Sequence, residues 1–145
     1  MNKDSGIPFF SYEELVVLAH KSVEARGEDY IYPLPRGGCY YVHENQASCL
    51  VGDMLWTANV IGPEFEEHGS NDEAVGMLFD SVFRTDEKGQ DFMRLIQRLQ
   101  DMEMPWGHAV ELATGPRADA LLDFLETTSS DLEDVLQWLE KQEAG

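Results

Sequence analysis

Ser48-Cys49-Leu50-Val51-Gly52-Asp53-Met54-Leu55-Trp56-Thr57-Ala58-Asn59-Val60 carries the clearest structural signal in the chain. Leu50, Val51, Met54, Leu55 and Ala58 recur at the three-and-four spacing of an α-helix and form one broad apolar face. Ser48 stands where an N-cap belongs, and Gly62-Pro63 closes the pattern. So apolar a face must be covered, and residues 48–60 are expected to form a central helix. Gly52 interrupts it. A mid-helix glycine costs about 1 kcal/mol against alanine, so its presence predicts close approach by a neighbouring element.

The helical period continues to the C-terminus. Ser70 and Glu73 form a capping box ahead of Val75, Leu78, Phe79, Val82 and Phe83. Asp86 to Glu103 carries Phe92, Leu95, Ile96, Leu99 and Met102 on one face, with Pro105 beyond it. Trp106 to Ala113 reads as a short helix closed by Gly115-Pro116, and Leu121, Leu122 and Leu125 line the next. Ser130 and Glu133 open the last, whose stripe is Leu132, Val135, Leu136 and Leu139. Upstream, Ser11 and Glu14 cap a helix bearing Leu15, Leu18, Ala19 and Ser22, which Gly27 stops. Between these regions, Tyr30-Ile31-Tyr32-Pro33-Leu34-Pro35-Arg36-Gly37-Gly38 is extended and turn-rich. Cys39-Tyr40-Tyr41-Val42 follows as a short strand, and then a polar turn, His43-Glu44-Asn45-Gln46. Tyr30-Ile31-Tyr32 is the obvious partner for that strand. The expected fold is mainly α: a compact bundle of about six or seven helices with a small β ribbon over residues 30–43. Residues 1–145 read as a single acidic globular domain. Residues 117–145 form a C-terminal helical pair that either packs on the body or binds a partner.

Charge narrows the function. Among 145 residues, 28 acids stand against 10 bases, a formal net charge of -18. Binding to a nucleic-acid backbone requires Lys and Arg to displace counterions, so direct nucleic-acid binding is excluded. Docking on anionic lipid is disfavoured for the same reason. With no long apolar run and no hydrophobic signal segment at Met1–Gly6, no membrane association and a cytoplasmic location are expected. The acidity is uneven: residues 46–75 hold Asp53, Glu64, Glu66, Glu67, Asp72 and Glu73 and no base. Asp131, Glu133 and Asp134 crowd the start of the last helix, where the helix dipole favours negative charge. These residues, with Tyr40 on the strand, are the candidate interaction set, and a partner protein with a basic surface is their natural complement. One form of such a face is mimicry of the DNA backbone by carboxylates. Homo-oligomerisation stays open.

Catalytic chemistry has one candidate. Cys49 falls at the start of a helix, where free amides and the dipole can lower a thiol pKa, and His43 lies upstream across a turn. A Cys49 nucleophile with a His43 base defines a small cysteine-dependent enzyme as the alternative function. Cys39 reads as a buried hydrophobe. Cys39, His43 and Cys49 do not follow a standard zinc spacing and would need His68 or His108 as a distant fourth ligand, so no metal is expected. His20, on the first helix, reads as exposed or hydrogen-bonded. Walker, GxGxxG, HExxH and GxSxG patterns are absent, so no cofactor is expected. Glu13-Glu14 and Glu66-Glu67 are sequence neighbours that face apart on a helix, which gives no paired-carboxylate site.

Two elements carry a resemblance: Cys39-Tyr40-Tyr41-Val42 with Ser48-Cys49-Leu50-Val51-Gly52, and Gln100-Asp101 leading into Pro105-Trp106-Gly107-His108-Ala109. Together, over roughly residues 30–115, they resemble a family of small proteins from actinobacteria and their bacteriophages. That resemblance implies a phage or actinobacterial origin, with the host cytoplasm as the location if phage-encoded, and no assigned activity. The expected function is an acidic, non-enzymatic interaction module that binds a host or partner protein. A virion structural or assembly component is the third reading.

Overall fold

A computed structural model describes residues 7–32, 40–128 and 131–144, and within them leaves the side chains of Ser70, Asp72, Glu143 and Ala144 undescribed. Six α-helices lie among the described residues, so the fold is mainly α: α1 (Tyr12–Arg26), α2 (Leu50–Thr57), α3 (Glu87–Asp101), α4 (Trp106–Thr114), α5 (Ala118–Thr127) and α6 (Leu132–Ala144). Two β pairs accompany them. Strand β1 (Phe9–Phe10) pairs in parallel with β4 (Arg84–Thr85), and β2 (Val42–His43) pairs antiparallel with β3 (Gln46–Ala47).

The capping box at Ser11 and Glu14 forms in both directions, at 3.2 and 2.8 Å. Gly27 ends α1 at a φ of 101°, which an L side chain rarely adopts. Asp86 does double duty. Its Oδ1 accepts the Gly89 amide within α3, and its Oδ2 accepts the Tyr12 amide at the start of α1, joining two helix N-termini. Leu15, Ala19, Phe92, Leu95, Ile96 and Leu99 are all buried, as their spacing requires.

The centre of the bundle is α3, which packs on α1, α2, α4 and α5; this corrects the expectation that α2 holds that position. α3 is longer and buries a full-length face, whereas α2 is a two-turn wedge between α1 and α3. The apolar face of α2 is nonetheless as expected: Leu50, Val51, Met54 and Leu55 have no exposure. Gly52 meets its predicted neighbour, since a Cβ there would fall on the carbonyl of Tyr41.

Both α2 and α3 stop earlier than their prolines suggested. Asn59 (φ 64°) and Glu103 (φ 67°) adopt the left-handed conformation. The amides of Val60 and Met104 then reach back to the carbonyls of Leu55 and Leu99, at 2.9 and 3.3 Å. This is a Schellman closure, completed at α3 by burial of Met104.

Three further expectations are corrected. Residues 70–83 form no α-helix but 3-10 turns at Gly69–Asp72 and Val75–Leu78, followed by a loop in which Asp80 has a φ of 69°. The cause lies in Asn71, whose side chain accepts from the Val42 amide and donates to the Val42 carbonyl, both at 2.9 Å. Its own carbonyl accepts from the Tyr41 amide, so the residue is tied to the strand region and the 3-10 turn does not continue as an α-helix. Among the described residues the ribbon lies over residues 42–47, and residues 30–32 form no strand. Glu44 and Asn45, both at positive φ, make the tight turn between its strands. Tyr32 instead holds Ser48 through their hydroxyls at 2.6 Å, which removes Ser48 as the helix cap and leaves Cys49 in that position. The Leu50 amide is capped from α3, by Gln100 Oε1 at 2.8 Å. Residues 33–39, including Cys39, lie outside the described residues, as does the Ser130 cap. At the start of α6, Asp131 and Asp134 cap each other's amides at 3.0 and 3.2 Å.

One hydrophobic core runs from Leu15 to Val135. The C-terminal helix belongs to it. Val135 is fully buried, Leu132 and Leu139 pack against the core, and Trp138 stacks on Phe124 of α5 at 5.5 Å. Only Leu136 of the expected stripe is exposed, at 42%.

Candidate functional site

Each described arginine turns back onto the protein. Arg26 lies 3.5 Å from Asp53 and donates to the Ala47 carbonyl. Arg84 pairs with Asp80 and Arg94 with Asp91. Arg98 donates to the carbonyl of Leu125, and Arg117 to that of Gln142. None of these arginines is therefore left over to offset the exposed carboxylates, which outnumber the described lysines, Lys21, Lys88 and Lys141.

The candidate interaction residues divide into two groups. Asp53 faces inward between α1 and α2, its side chain 13% exposed, accepting from Ser22 Oγ at 2.7 Å and pairing with Arg26. That corrects its placement on an acidic surface: the helix face carrying Leu50 and Met54 brings Asp53 down onto α1. Glu66 is also engaged, accepting the amides of Glu44 and Asn45 at 2.9 Å each and so bracing the β2–β3 turn. Glu73 is half-buried, and its carbonyl accepts the Tyr41 hydroxyl. Glu64, Glu67, Asp131, Glu133 and Asp134 are exposed, while Asp72 has no described side chain. Tyr40 is half-buried and stacks on His43 at 5.5 Å.

The Asn45 amide first, then the Glu44 amide, hold the Glu66 carboxyl below the ordinary glutamate range; the nearby His43 adds to this and burial opposes it. A carboxyl with a depressed folded-state pKa stabilises the fold above its unfolded value, and the contribution disappears as pH falls through the folded value. Urea unfolding of wild type and Glu66→Gln is therefore expected to differ at neutral pH. The two curves should converge on acidification below the ordinary glutamate range, and a pH-independent difference would refute the assignment.

Cys49 and His43 are not arranged as a nucleophile and base at the surface. The thiol of Cys49 is fully buried, whereas the pleat of β2 turns Val42 into the core and His43 outward at 41% side-chain exposure. His68 stacks on Phe65. Among the described residues no group of three or more His, Cys, Asp or Glu side chains is placed to hold a metal ion, and no helix is long and apolar enough to cross a membrane.

The structure adds a feature that sequence reading missed. His20 and Val23 of α1, the following Glu28 and Asp29, and His108 and Glu111 of α4 line a groove of about 550 Å³. The amides of Trp106 and Gly107 donate to the carbonyls of Tyr30 and Glu28, at 2.8 and 3.0 Å, and pin the start of α4 beneath it. The three-residue spacing of His108 and Glu111 was the available sequence signal, since it puts both on one helix face. Compared with protein-family models, curated proteins and solved structures, the chain matches none.

Proposed function

We propose that this protein is an acidic interaction module that binds a partner protein with a basic surface and performs no catalysis of its own. The observation that carries the reading is the internal engagement of every described arginine, which leaves the excess carboxylates, Glu64, Glu67 and Glu133 among them, to face an outside cation. Complementary charge of this kind steers encounter and rejects acidic competitors. Burial of Cys49 speaks against the cysteine-enzyme alternative. The resemblance described above supports a cytoplasmic partner in an actinobacterial host. Affinity capture from such a lysate at physiological salt is expected to retain a basic protein that elutes as salt is raised. Failure to retain a specific partner at low and physiological salt alike would overturn the reading.

A further inference from the structure

We propose that Met77 is a site of reversible oxidation: a peroxide converts its thioether to the sulfoxide while the fold and the Cys49 thiol stay intact. Oxidation needs contact between a sulfur lone pair and a peroxide oxygen, so access decides which sulfur reacts. Access is sharply divided among the described residues. Cys49, Met54, Met93 and Met104 have no exposure, and Met102 is half-buried. Met77 is 61% exposed, more than any other large apolar side chain described. A buried sulfur meets an oxidant only when the structure opens around it, and that opening costs free energy that Met77 does not have to supply.

Local structure explains both the exposure and the tolerance. Side chains three apart eclipse in a 3-10 helix, so Val75 and Leu78 share one face of the Val75–Leu78 turn. Both are buried, which leaves Gly76 and Met77 outside. The turn holds without the Met77 side chain: its amide donates to the Ala74 carbonyl at 2.9 Å, and its carbonyl accepts the Ser81 hydroxyl at 3.0 Å. In the reaction with hydrogen peroxide, the sulfur lone pair attacks one oxygen, and the S–O bond forms as the O–O bond breaks. The leaving hydroxide takes the proton of the transferred hydroxyl and departs as water, so sulfur is oxidised and the peroxide reduced. The sulfoxide is polar and would disrupt a core, but at Met77 its oxygen enters solvent. This face thus changes from apolar to polar with the fold unaltered, and sulfoxide reductases are the enzyme class that reverses it.

The test treats the full chain with hydrogen peroxide at neutral pH, quenches samples at intervals and maps the oxidised peptides by mass spectrometry. Met77 is expected to gain one oxygen about tenfold or more faster than Met54, Met93 and Met104, and ahead of Met102. Cys49 should stay unmodified until Met77 is fully converted. The urea midpoint of wild type should not move as Met77 is converted, and Met77→Leu should unfold at that same midpoint before and after treatment. Uptake at Cys49 or at another of these methionines as fast as at Met77 would overturn the site. A midpoint that falls on oxidation of wild type but not of Met77→Leu would overturn the tolerance of the fold for the sulfoxide.

Discussion

Gly52→Ala is expected to destabilise the protein by about 3 kcal/mol or more, the upper part of the range for overpacked sites. The added methyl would land on the Tyr41 carbonyl, which cannot rotate away as a side chain can. Tyr41 is fixed from several sides: its carbonyl accepts the Ser48 amide, its amide donates to Asn71, and its hydroxyl donates to the Glu73 carbonyl. Relief thus requires α2 to move away from the ribbon, opening the core between Leu50 and Val42. Alanine's helix propensity returns about 1 kcal/mol at most. Gly69→Ala is the comparator, because a Cβ there meets nothing within 4 Å. Its free energy of unfolding in urea should lie within about 0.5 kcal/mol of wild type. Equal midpoints for the two variants would show that the Tyr41 contact does not constrain α2.

The second large effect is at Trp106, a side chain with no exposure. Its ring meets Tyr30 edge to face at 4.8 Å and lies under the Arg26 guanidinium at 5.5 Å. Truncation to alanine should cost about 3–5 kcal/mol, through lost transfer energy and the cavity left behind. Trp106→Phe separates two contributions. The indole Nε1 finds no hydrogen-bond partner among the described residues, so replacing Trp by Phe removes a buried unsatisfied donor along with part of the ring. The phenylalanine variant is expected to recover most of the loss. If it is as unstable as the alanine variant, the indole nitrogen has a partner that thermal melts coupled to solvent-accessibility measurements should reveal.

How far the sequence could be read depends on how local each determinant is. α1 and α3 were legible because their caps and apolar faces lie within one stretch of chain: Ser11 with Glu14, and Asp86 ahead of Phe92, Leu95, Ile96 and Leu99. Residues 70–83 were misread because Ser70 and Glu73 mimic a capping box, while the competing interaction comes from Val42, far away in sequence. The ribbon was displaced because two-residue strands are too short to show alternation, and the left-handed turn at Glu44-Asn45 lacks the usual glycine. Candidate-site residues fared the same way. Exposure of Glu64 and Glu133 follows from polarity alone, whereas the inward turn of Asp53 depends on Ser22 and Arg26 of another helix. Of the groove, only the α4 wall, His108 with Glu111, is legible locally; its pairing with His20 depends on tertiary packing of two helices.

The bond from Tyr12 to Asp86 links residues 74 positions apart, and β1 meets β4 beside it. Closing a loop of that length costs chain entropy on the order of 4 kcal/mol before any contact compensates it. Nearest-neighbour docking, such as α3 against α4, needs much shorter excursions. During synthesis, then, α1 emerges long before the carboxylate that holds its first turn, and it spends that interval without its long-range anchor. The first turn of α1 is committed to the fold by a residue made 74 positions after it.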